Sequence, residues 1–336
     1  MAATGAGIAS AHADESMSMG SMTSCESLLD ADLGGAPRQG AGGGAPERVA
    51  IVGSGNWGSA IARIVGRNVV EQEGFEHQIR QWVFPEKVSH KGVEACLTEV
   101  INREHENVKY LPGVKLPENL VAEGDLALAV KDATILIFVL PHQFLGRVLP
   151  TVAEALGLTK NGGTAGAAPG GRRIRAVSLI KGVDKGPDGL KLISDHIREG
   201  LCGAVPLGLA DEDYASCRAA GLSVTADADT DTLRLLFNRP TFRVTVVRNA
   251  SATVELCGAL KNVVALGAAF CDGLGYGGNT KAAIVRTGLA EMQVFAQRLR
   301  CDASAFDATA SSRAFLESCG IGDLMTTCYG ASRNRK

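Results

Sequence analysis

The chain has 336 residues, of which 46% are hydrophobic and 21% are charged, and its formal net charge is −2. This length suggests two domains that can each bury a core. The balanced charge excludes the basic surface that attracts nucleic acid. No uncharged apolar run reaches the roughly 18 residues of a membrane span, so we expect no contact with a membrane either.

The cysteines and histidines give no sign of a disulfide framework or a metal site. The nine cysteines are scattered, form no C-x-x-C pair and are odd in number. This pattern favours reduced thiols in a reducing compartment. The six histidines show no ligand spacing, so we predict no structural metal.

Residues 1–46 are rich in Gly, Ala, Ser and Met and have no apolar period, so we expect a disordered N-terminal extension. The extension lacks the apolar segment of a secretory signal. Its acidic residues outnumber its single arginine, which is untypical of a transit peptide. We therefore expect a cytoplasmic location, with the plastid stroma left open.

A strand, a glycine turn and a helix follow one another after the extension. The β-branched run from Val49 to Val52 predicts a buried strand that leads into Gly53-x-Gly55-x-x-Gly58, and Ser59 to Val65 is expected to be helical. In a dinucleotide site the three glycines permit a tight turn, close approach of a pyrophosphate, and close packing of helix on strand. The helix N-terminus then presents N–H groups to the phosphates. A glycine-rich turn in another α/β protein is the alternative.

Three further strands are predicted in the same half of the chain: Gln78 to Phe84, Ala133 to Leu140, and Ala176 to Ile180. A turn-rich loop, Asn107 to Gly113, lies between the first two. Continuous apolar strands are typical of a parallel sheet that is covered on both faces. Ligands bind at the carboxyl edge of such a sheet, so the residues directly after each strand are the candidates for a site.

Three residues at these strand ends are candidates. Phe84 is suited to stack on adenine, and no arginine cluster follows it that would bind a 2′-phosphate, which favours NAD over NADP. Phe144 is suited equally to packing against the nicotinamide half of NAD and to packing in the protein core. Lys181 is well placed to bind a substrate anion, and a surface lysine is the alternative.

The stretch from Val254 to Phe270 predicts a helix that is apolar nearly all round and therefore buried. Lys261 and Asn262 interrupt its middle. A lysine is almost never fully buried without a partner, which favours a functional Lys261 over one that reaches the surface.

The C-terminal half contains several weaker signals. Phe242 to Val247 predicts a short strand, and Ala282 to Arg298 predicts a helix with a solvated Lys281 at its start. Asp323 suits either a helix cap or a partner for a buried lysine. Arg333 and Asn334 offer donors that suit a phosphate.

Six motifs, taken together and in order, resemble NAD-dependent glycerol-3-phosphate dehydrogenase over about residues 48–336. They are Gly53–Gly58, Pro141–Phe144, Ser178–Gly182, Glu255–Asn262, Gly277–Lys281, and Glu317–Gly320 followed by Asp323. The resemblance implies an α/β fold with a Rossmann-type dinucleotide-binding domain, placed at 47–234, and an all-helical substrate domain, placed at 235–336. It implies reversible reduction of dihydroxyacetone phosphate to glycerol 3-phosphate by NADH, and a homodimer.

The resemblance also implies a role for individual residues. Lys261 would be the acid/base at the ketone oxygen, Lys181 would hold the same oxygen or the phosphate, and Asp323 would orient and balance the charge of both lysines. The implied substrate ligands are Lys181, Asn262, Thr327, Arg333 and Asn334. The implied NAD ligands are Gly53, Ser54, Gly55, Asn56, Trp57, Gly58, Phe84, Phe144 and Arg333.

The chain departs from the family pattern at three places. It lacks a strand and a Gly-Ala-Asn-x-Ala loop between Leu201 and Asp211, it stops at Lys336 where the family continues, and Ala331-Ser332 shifts the donors that follow by one position. We therefore expect an internally shortened sheet and an incomplete helical domain. Two alternative functions stay open: a catalytically impaired nucleotide-binding fragment of the same family, and a similar dehydrogenase that acts on a sugar acid.

Overall fold

The structure is a computed structural model that describes residues 45–158, 174–186, 189–202, 227–247, 250–300 and 308–330. Nearly all of the predicted N-terminal extension lies outside these residues. So do the segment 203–226, which contains most of the region where a strand is predicted to be missing, and Ala331 to Lys336 with Arg333 and Asn334.

The described residues form nine strands and ten α-helices. The strands are β1 (Glu47–Val52), β2 (Phe75–Trp82), β3 (Lys87–His90), β4 (Val93–Cys96), β5 (Leu120–Glu123), β6 (Ile135–Phe138), β7 (Arg175–Ser178), β8 (Val183–Gly186) and β9 (Gly189–Leu192). The helices are α1 (Asn56–Glu71), α2 (Leu97–Glu104), α3 (Leu126–Val130), α4 (Leu145–Ala155), α5 (Ile193–Cys202), α6 (Asp227–Phe237), α7 (Ser251–Gly273), α8 (Gly278–Arg300), α9 (Ala308–Leu316) and α10 (Asp323–Tyr329).

Five parallel strands form the main sheet in the order β5-β2-β1-β6-β7. Successive residues of β1 face opposite sides, as the pleat requires. Val49 and Ile51 pack into an apolar layer with α1 and α2, whereas Ala50 and Val52 pack into a second layer with α4 and α5. The predicted α/β architecture with helices on both faces is therefore confirmed.

The strand order reverses between β1 and β6, because the chain moves from β1 to β2 on one side and returns to β6 on the other. Such a reversal opens a crevice at the carboxyl edge of the sheet. The glycine turn follows β1, and Lys181 lies just beyond β7, so both emerge at this edge.

Three predicted strands are shorter or shifted, and the one predicted from Ala176 to Ile180 runs from Arg175 to Ser178. The central strand pairs only from Ile135 to Phe138, because its partner β1 ends at Val52 and turns away. For the same reason β2 ends at Trp82, opposite Val52, rather than at Phe84. Phe84 therefore lies beyond the end of the strand.

The strand predicted from Phe242 to Val247 is wrong. The backbone of Phe242 pairs with Arg239, three residues earlier, and residues 243–247 have no regular structure. The β-branched sequence alone does not make a strand here, because no strand in the described part of the chain takes up its backbone hydrogen bonds.

The helical part is built around α7. One face of this helix packs against α8, α9 and α10 through a separate apolar core. The prediction of a helix buried all round is wrong, since Val263, Leu266 and Phe270 are exposed. Among the described residues, helices cover one side of α7 only.

One helix in the described part of the chain, Ala252–Gly273, is long and apolar enough to cross a membrane by length and composition alone, with a mean hydropathy of 1.5. The same helix carries Lys261, whose side chain is buried among other helices of the chain.

The contact between α7 and α8 generates a prediction about stability. A Cβ added at Gly288 would lie 2.5 Å from both terminal carbons of the buried Val264. Val264 is β-branched and has little rotamer freedom. We therefore expect Gly288→Ala to lower the free energy of unfolding by about 1–3 kcal/mol, the usual effect of overpacking. The measurement is the Tm by calorimetry.

Gly273→Ala is the matched control, because a Cβ there meets no atom within 4 Å. Gly288 lies in the interior of α8 and Gly273 is the last residue of α7, so alanine gains more intrinsic helix propensity at Gly288. A Tm for Gly288→Ala equal to or above that of Gly273→Ala would show that the contact between Gly288 and Val264 is not tight.

Candidate active site

The glycine turn fits closely against the end of β6. Gly53 has a φ of 122°, and a Cβ at this position would lie 2.2 Å from the carbonyl oxygen of Val139. A Cβ at Gly58 would lie 2.5 Å from the carbonyl oxygen of Gly53. Only glycine fits either position, so the turn can hold α1 directly against the sheet.

Gly55, the N-cap residue of α1, has open space around it, unlike Gly53 and Gly58. A Cβ there would meet no atom within 4 Å. The first turn of α1 has no acidic residue, so its N–H groups face no local negative charge. Open space in front of a helix N-terminus suits a pyrophosphate, which can approach the backbone there.

Gln81 supports the turn from the neighbouring strand, and sequence reasoning missed it. Its side chain is fully buried, and its Nε2 donates to the carbonyl oxygen of Gly53 at 2.8 Å. No local motif indicates this contact, because the two residues lie 28 positions apart.

The two candidate aromatic residues both lie at the carboxyl edge and are accessible. Phe84 is 65% exposed, and its ring lies edge-on to that of Trp82 with centroids 6.3 Å apart. Phe144 is 45% exposed in a short turn after β6, which excludes the core role that the sequence left open. Glu86, two residues after Phe84, accepts a hydrogen bond from Lys109. This bond holds the Glu86 carboxylate at the carboxyl edge of the sheet, where an acidic residue usually binds a ribose hydroxyl.

Lys261 lies in the middle of α7, and only 7% of its side chain is exposed. Its Nζ lies 2.6 Å from Oδ1 of Asp323 and donates to Oγ1 of Thr327 at 2.9 Å. The Thr327 hydroxyl in turn donates to the carbonyl oxygen of Asp323 at 2.6 Å. The ammonium is therefore held by two oxygens that are themselves anchored on α10.

Lys181 meets the same carboxylate from the other side. Its Nζ donates to Oδ2 of Asp323 at 3.3 Å, and its side chain is 66% exposed. One carboxylate thus binds two ammonium groups, one with each oxygen. The structure brings together Lys181, Lys261 and Asp323, as the sequence predicts. Of the two roles that the sequence left open for Asp323, the structure shows the partner of a buried lysine.

The two lysines stabilise the ionised form of Asp323. Burial opposes ionisation, but the hydrogen bond from Lys261 and the nearby charge of Lys181 outweigh it and hold the pKa of Asp323 below its ordinary value. Asp323 is also the first residue of α10, where the helix dipole stabilises a negative charge.

A π-helical turn, Ser318–Gly322, delivers Asp323 to this position. Within it, a Cβ at Gly320 would lie 2.3 Å from the carbonyl oxygen of Phe315, so the turn needs glycine there. Such turns are rare and occur often at functional sites, which agrees with the location of the carboxylate.

Two thiols lie one helical turn before the charged residues. Cys257 precedes Lys261 by four positions, and Cys319 precedes Asp323 by four. A hydrogen bond from Cys257 lowers the pKa of Cys319, and the same bond together with burial raises the pKa of Cys257. Both are free thiols.

The interpretation of Lys281 as a solvated residue is wrong. It is buried, and its Nζ donates to both carboxylate oxygens of Asp272 at 2.7 and 2.9 Å. The ammonium also lies 4.7 Å from the centroid of the Tyr329 ring. The reason is that α8 begins at Gly278, three residues before Lys281, and its first turn faces the end of α7, where Asp272 lies.

Of the remaining candidates, Asn262 is exposed beside Lys261 on α7, whereas Thr327 is buried with its hydroxyl engaged as described. Within the described residues, no group of three or more His, Cys, Asp or Glu side chains could hold a metal ion.

Comparisons with known proteins agree with this geometry. The family model for the N-terminus of NAD-dependent glycerol-3-phosphate dehydrogenase matches residues 48–209, and the model for its C-terminus matches residues 251–336. The chain is 49% identical over 300 residues to the cytoplasmic NAD(+) glycerol-3-phosphate dehydrogenase of Homo sapiens, a match that covers 87% of this chain and 78% of the human protein.

Solved structures similar to it include one from Saccharomyces cerevisiae and one from Dunaliella salina. Glycerol-3-phosphate dehydrogenase from Saccharomyces cerevisiae has a TM-score of 0.67 at 37% identity, covering 87% of this chain and 79% of the yeast chain. DsGPDH of Dunaliella salina has a TM-score of 0.65 at 32% identity, covering 87% of this chain. The match spans 47% of the Dunaliella chain, so this chain corresponds to about half of that longer protein.

The lowered pKa of Asp323 predicts a pH-dependent effect of Asp323→Asn. Because the folded pKa lies below the ordinary value of 3.8, the ionised group stabilises the fold fully above that pH and loses this effect as the pH falls through the depressed value. At neutral pH the substitution also leaves Lys261 buried without its counter-charge. Breaking a buried pair costs about 3–5 kcal/mol, and we expect the lower end because Asp323 is partly exposed.

The measurement is the Tm of the wild type and the variant over a pH series. We expect a large difference at neutral pH that shrinks in acid. A difference that stays constant down to acid unfolding would show that the ionisation of Asp323 is not coupled to folding.

Proposed function

Because the chain belongs to the NAD-dependent glycerol-3-phosphate dehydrogenase family, we propose that it catalyses the reversible reduction of dihydroxyacetone phosphate to sn-glycerol 3-phosphate with NADH. The observation that carries this proposal is the pair of lysines on one carboxylate at the carboxyl edge of a dinucleotide-type sheet. The geometry provides an acid, a second cation and a nucleotide turn.

The residues at the glycine turn fit a dinucleotide. The open space at Gly55 and the helix N-terminus behind it suit the pyrophosphate, with Ser54, Asn56 and Trp57 flanking it. When bound, NADH supplies the hydride that reduces the carbonyl carbon. Phe84 is proposed to contact the adenine side and Phe144 the nicotinamide side, which the exposure of both rings supports. Arg333, a further proposed NAD ligand, lies outside the described residues.

Lys261 is proposed to act as the acid at the ketone oxygen. Its ammonium is buried and is held in one position by Asp323 and Thr327, so it needs little reorganisation to donate a proton. As the carbonyl carbon is reduced, the oxygen gains negative charge and takes the proton from Nζ. In the reverse direction the neutral amine takes the hydroxyl proton. General acid catalysis of this kind contributes about 10²–10⁴-fold.

The charge of the cluster suits an anionic substrate. Two ammonium groups share a single carboxylate, which leaves one excess positive charge at the edge of the sheet. Lys181 is the more exposed of the two, so it is proposed to hold the ketone oxygen or the phosphate. Asn262 is proposed as a phosphate donor beside it, with Asn334 and Arg333 from outside the described residues.

Thr327 is proposed as a further phosphate ligand. In the structure its hydroxyl proton is directed to the carbonyl oxygen of Asp323, so it would exchange that bond on binding the phosphate. Its contact with Lys261 would then link the phosphate site directly to the acid.

We further propose a cytoplasmic homodimer. The cytoplasmic location is supported by relatives from Homo sapiens and Bos taurus whose names include it. The dimer is supported by the family resemblance. Light scattering should give twice the chain mass of 34.9 kDa, and the mass of a single chain would exclude the dimer.

The function is tested by Lys261→Met, which keeps most of the side-chain volume and removes the charge. We expect kcat to fall about 10²–10⁴-fold, the usual contribution of a general acid, while NADH binding is retained. The measurement is NADH oxidation that depends on added dihydroxyacetone phosphate, with NADH binding followed by fluorescence. Turnover that survives the substitution would show that the role assigned to Lys261 is wrong.

Lys281→Met is the matched control, because Lys281 is as buried as Lys261 and also forms an ion pair. We expect it to lower the Tm and to keep turnover. If the wild-type chain binds NADH but shows no turnover with the ketone, the catalytically impaired fragment is favoured instead. Equal turnover with 6-phosphogluconate would favour the sugar-acid enzyme.

A further inference from the structure

Asn107 lies in the loop between α2 and β5, and its side chain is fully buried beneath the glycine turn. Its Nδ2 donates to the carbonyl oxygen of Ser54 at 2.8 Å and to Oγ of Ser59 at 2.9 Å. Its Oδ1 accepts from the backbone N–H of Tyr110 at 3.1 Å. One amide therefore links the loop to both the turn and the first helical turn of α1.

These contacts form a closed network with the turn. The hydroxyl of Ser59 donates to the same carbonyl oxygen of Ser54 at 3.3 Å. In addition, the Asn56 side chain donates to the carbonyl oxygen of Tyr110 at 2.9 Å, so the loop and the turn are joined a second time. The loop holds the turn from the interior and leaves its other side open at Gly55.

The hydrogen bond to Ser54 has a consequence for the next residue. Every described peptide bond is trans, so the C=O of Ser54 and the N–H of Gly55 point in opposite directions. Asn107 holds the C=O from the interior, and the N–H of Gly55 therefore points away from Asn107. This orients a backbone donor in the part of the turn that the pyrophosphate approaches.

We propose that Asn107 is a positioning residue for the dinucleotide: it fixes the Ser54–Gly55 peptide and thereby sets the affinity for NADH without contacting it. The proposal rests on the proposed function. It adds a residue that lies more than 45 positions from the turn in sequence. Asn107 affects the binding of NADH and not the proton transfer from Lys261.

The chain offers a matched control on the same helix. Asn68, near the other end of α1, is equally buried, donates to the carbonyl oxygens of Leu236 and Asn238 at 2.8 and 3.4 Å, and accepts from Arg239 at 3.0 Å. Asn68 and Asn107 thus each donate two hydrogen bonds and accept one. A purely structural role predicts the same outcome for Asn68→Ala and Asn107→Ala.

The experiment compares these two variants of the full chain. For each, the Kd for NADH is measured by quenching of tryptophan fluorescence, together with kcat, both KM values and the Tm. We expect Asn107→Ala to raise the Kd and the KM for NADH about tenfold, equivalent to about 1.4 kcal/mol. The kcat and the KM for dihydroxyacetone phosphate should stay nearly constant. Asn68→Ala should lower the Tm but leave the Kd unchanged.

A second variant, Asn107→Asp, separates the two hydrogen bonds that the side chain donates from the one that it accepts. Aspartate can still accept from Tyr110 N–H but cannot donate to Ser54 when ionised. We expect it to weaken NADH binding at least as much as Asn107→Ala. An unchanged Kd in Asn107→Asp, or equal Kd values in Asn107→Ala and Asn68→Ala, would overturn the proposal.

The binding measurement distinguishes this proposal from the proposed function. If the wild-type chain binds NADH but does not reduce dihydroxyacetone phosphate, the proposed function fails, and the Kd values of the variants still decide the role of Asn107. If the wild-type chain does not bind NADH, both proposals are wrong.

Discussion

The buried ion pair between Lys261 and Asp323 is the interaction on which the rest of the site depends. An ammonium in the middle of an apolar helix loses its hydration, and this loss is tolerable only if a counter-charge and hydrogen bonds replace the water. Asp323 and Thr327 supply both from α10. The requirement explains why a π-helical turn with an obligatory glycine precedes Asp323, since a regular helix would carry the carboxylate elsewhere.

The second lysine connects this pair to the sheet. Lys181 lies just beyond β7 and reaches the free oxygen of Asp323, so the carboxylate joins the helical part to the carboxyl edge of the parallel strands. The glycine turn emerges at the same edge because β1, β6 and β7 are parallel neighbours. Parallel pairing therefore brings the glycine turn and Lys181 to one edge, and Asp323 links Lys181 to the buried Lys261.

The features that could be predicted from sequence are those with a local physical cause. The tight turn at Gly53 and the missing side chain at Gly55 follow from backbone geometry, and a charge inside an apolar helix identifies Lys261. The features that could not be predicted depend on tertiary contacts. The burial of Lys281 depends on the packing of α8 against the end of α7, and the support from Asn107 depends on a turn 53 positions earlier. The strand after Phe242 fails because no strand among the described residues pairs with it.

Burial of a charged side chain does not by itself identify a functional residue, as the two buried lysines show. Lys281 forms a two-oxygen contact with Asp272 and packs over an aromatic ring, so both oxygens of one carboxylate bind this single ammonium. Lys261 shares its carboxylate with an exposed lysine, and this leaves the cluster one positive charge in excess. The difference in charge balance, rather than in burial, is the reason that the Lys261 cluster is proposed to bind an anion and release a proton. An incompletely neutralised cluster at a strand edge is therefore the stronger indicator of function in this fold.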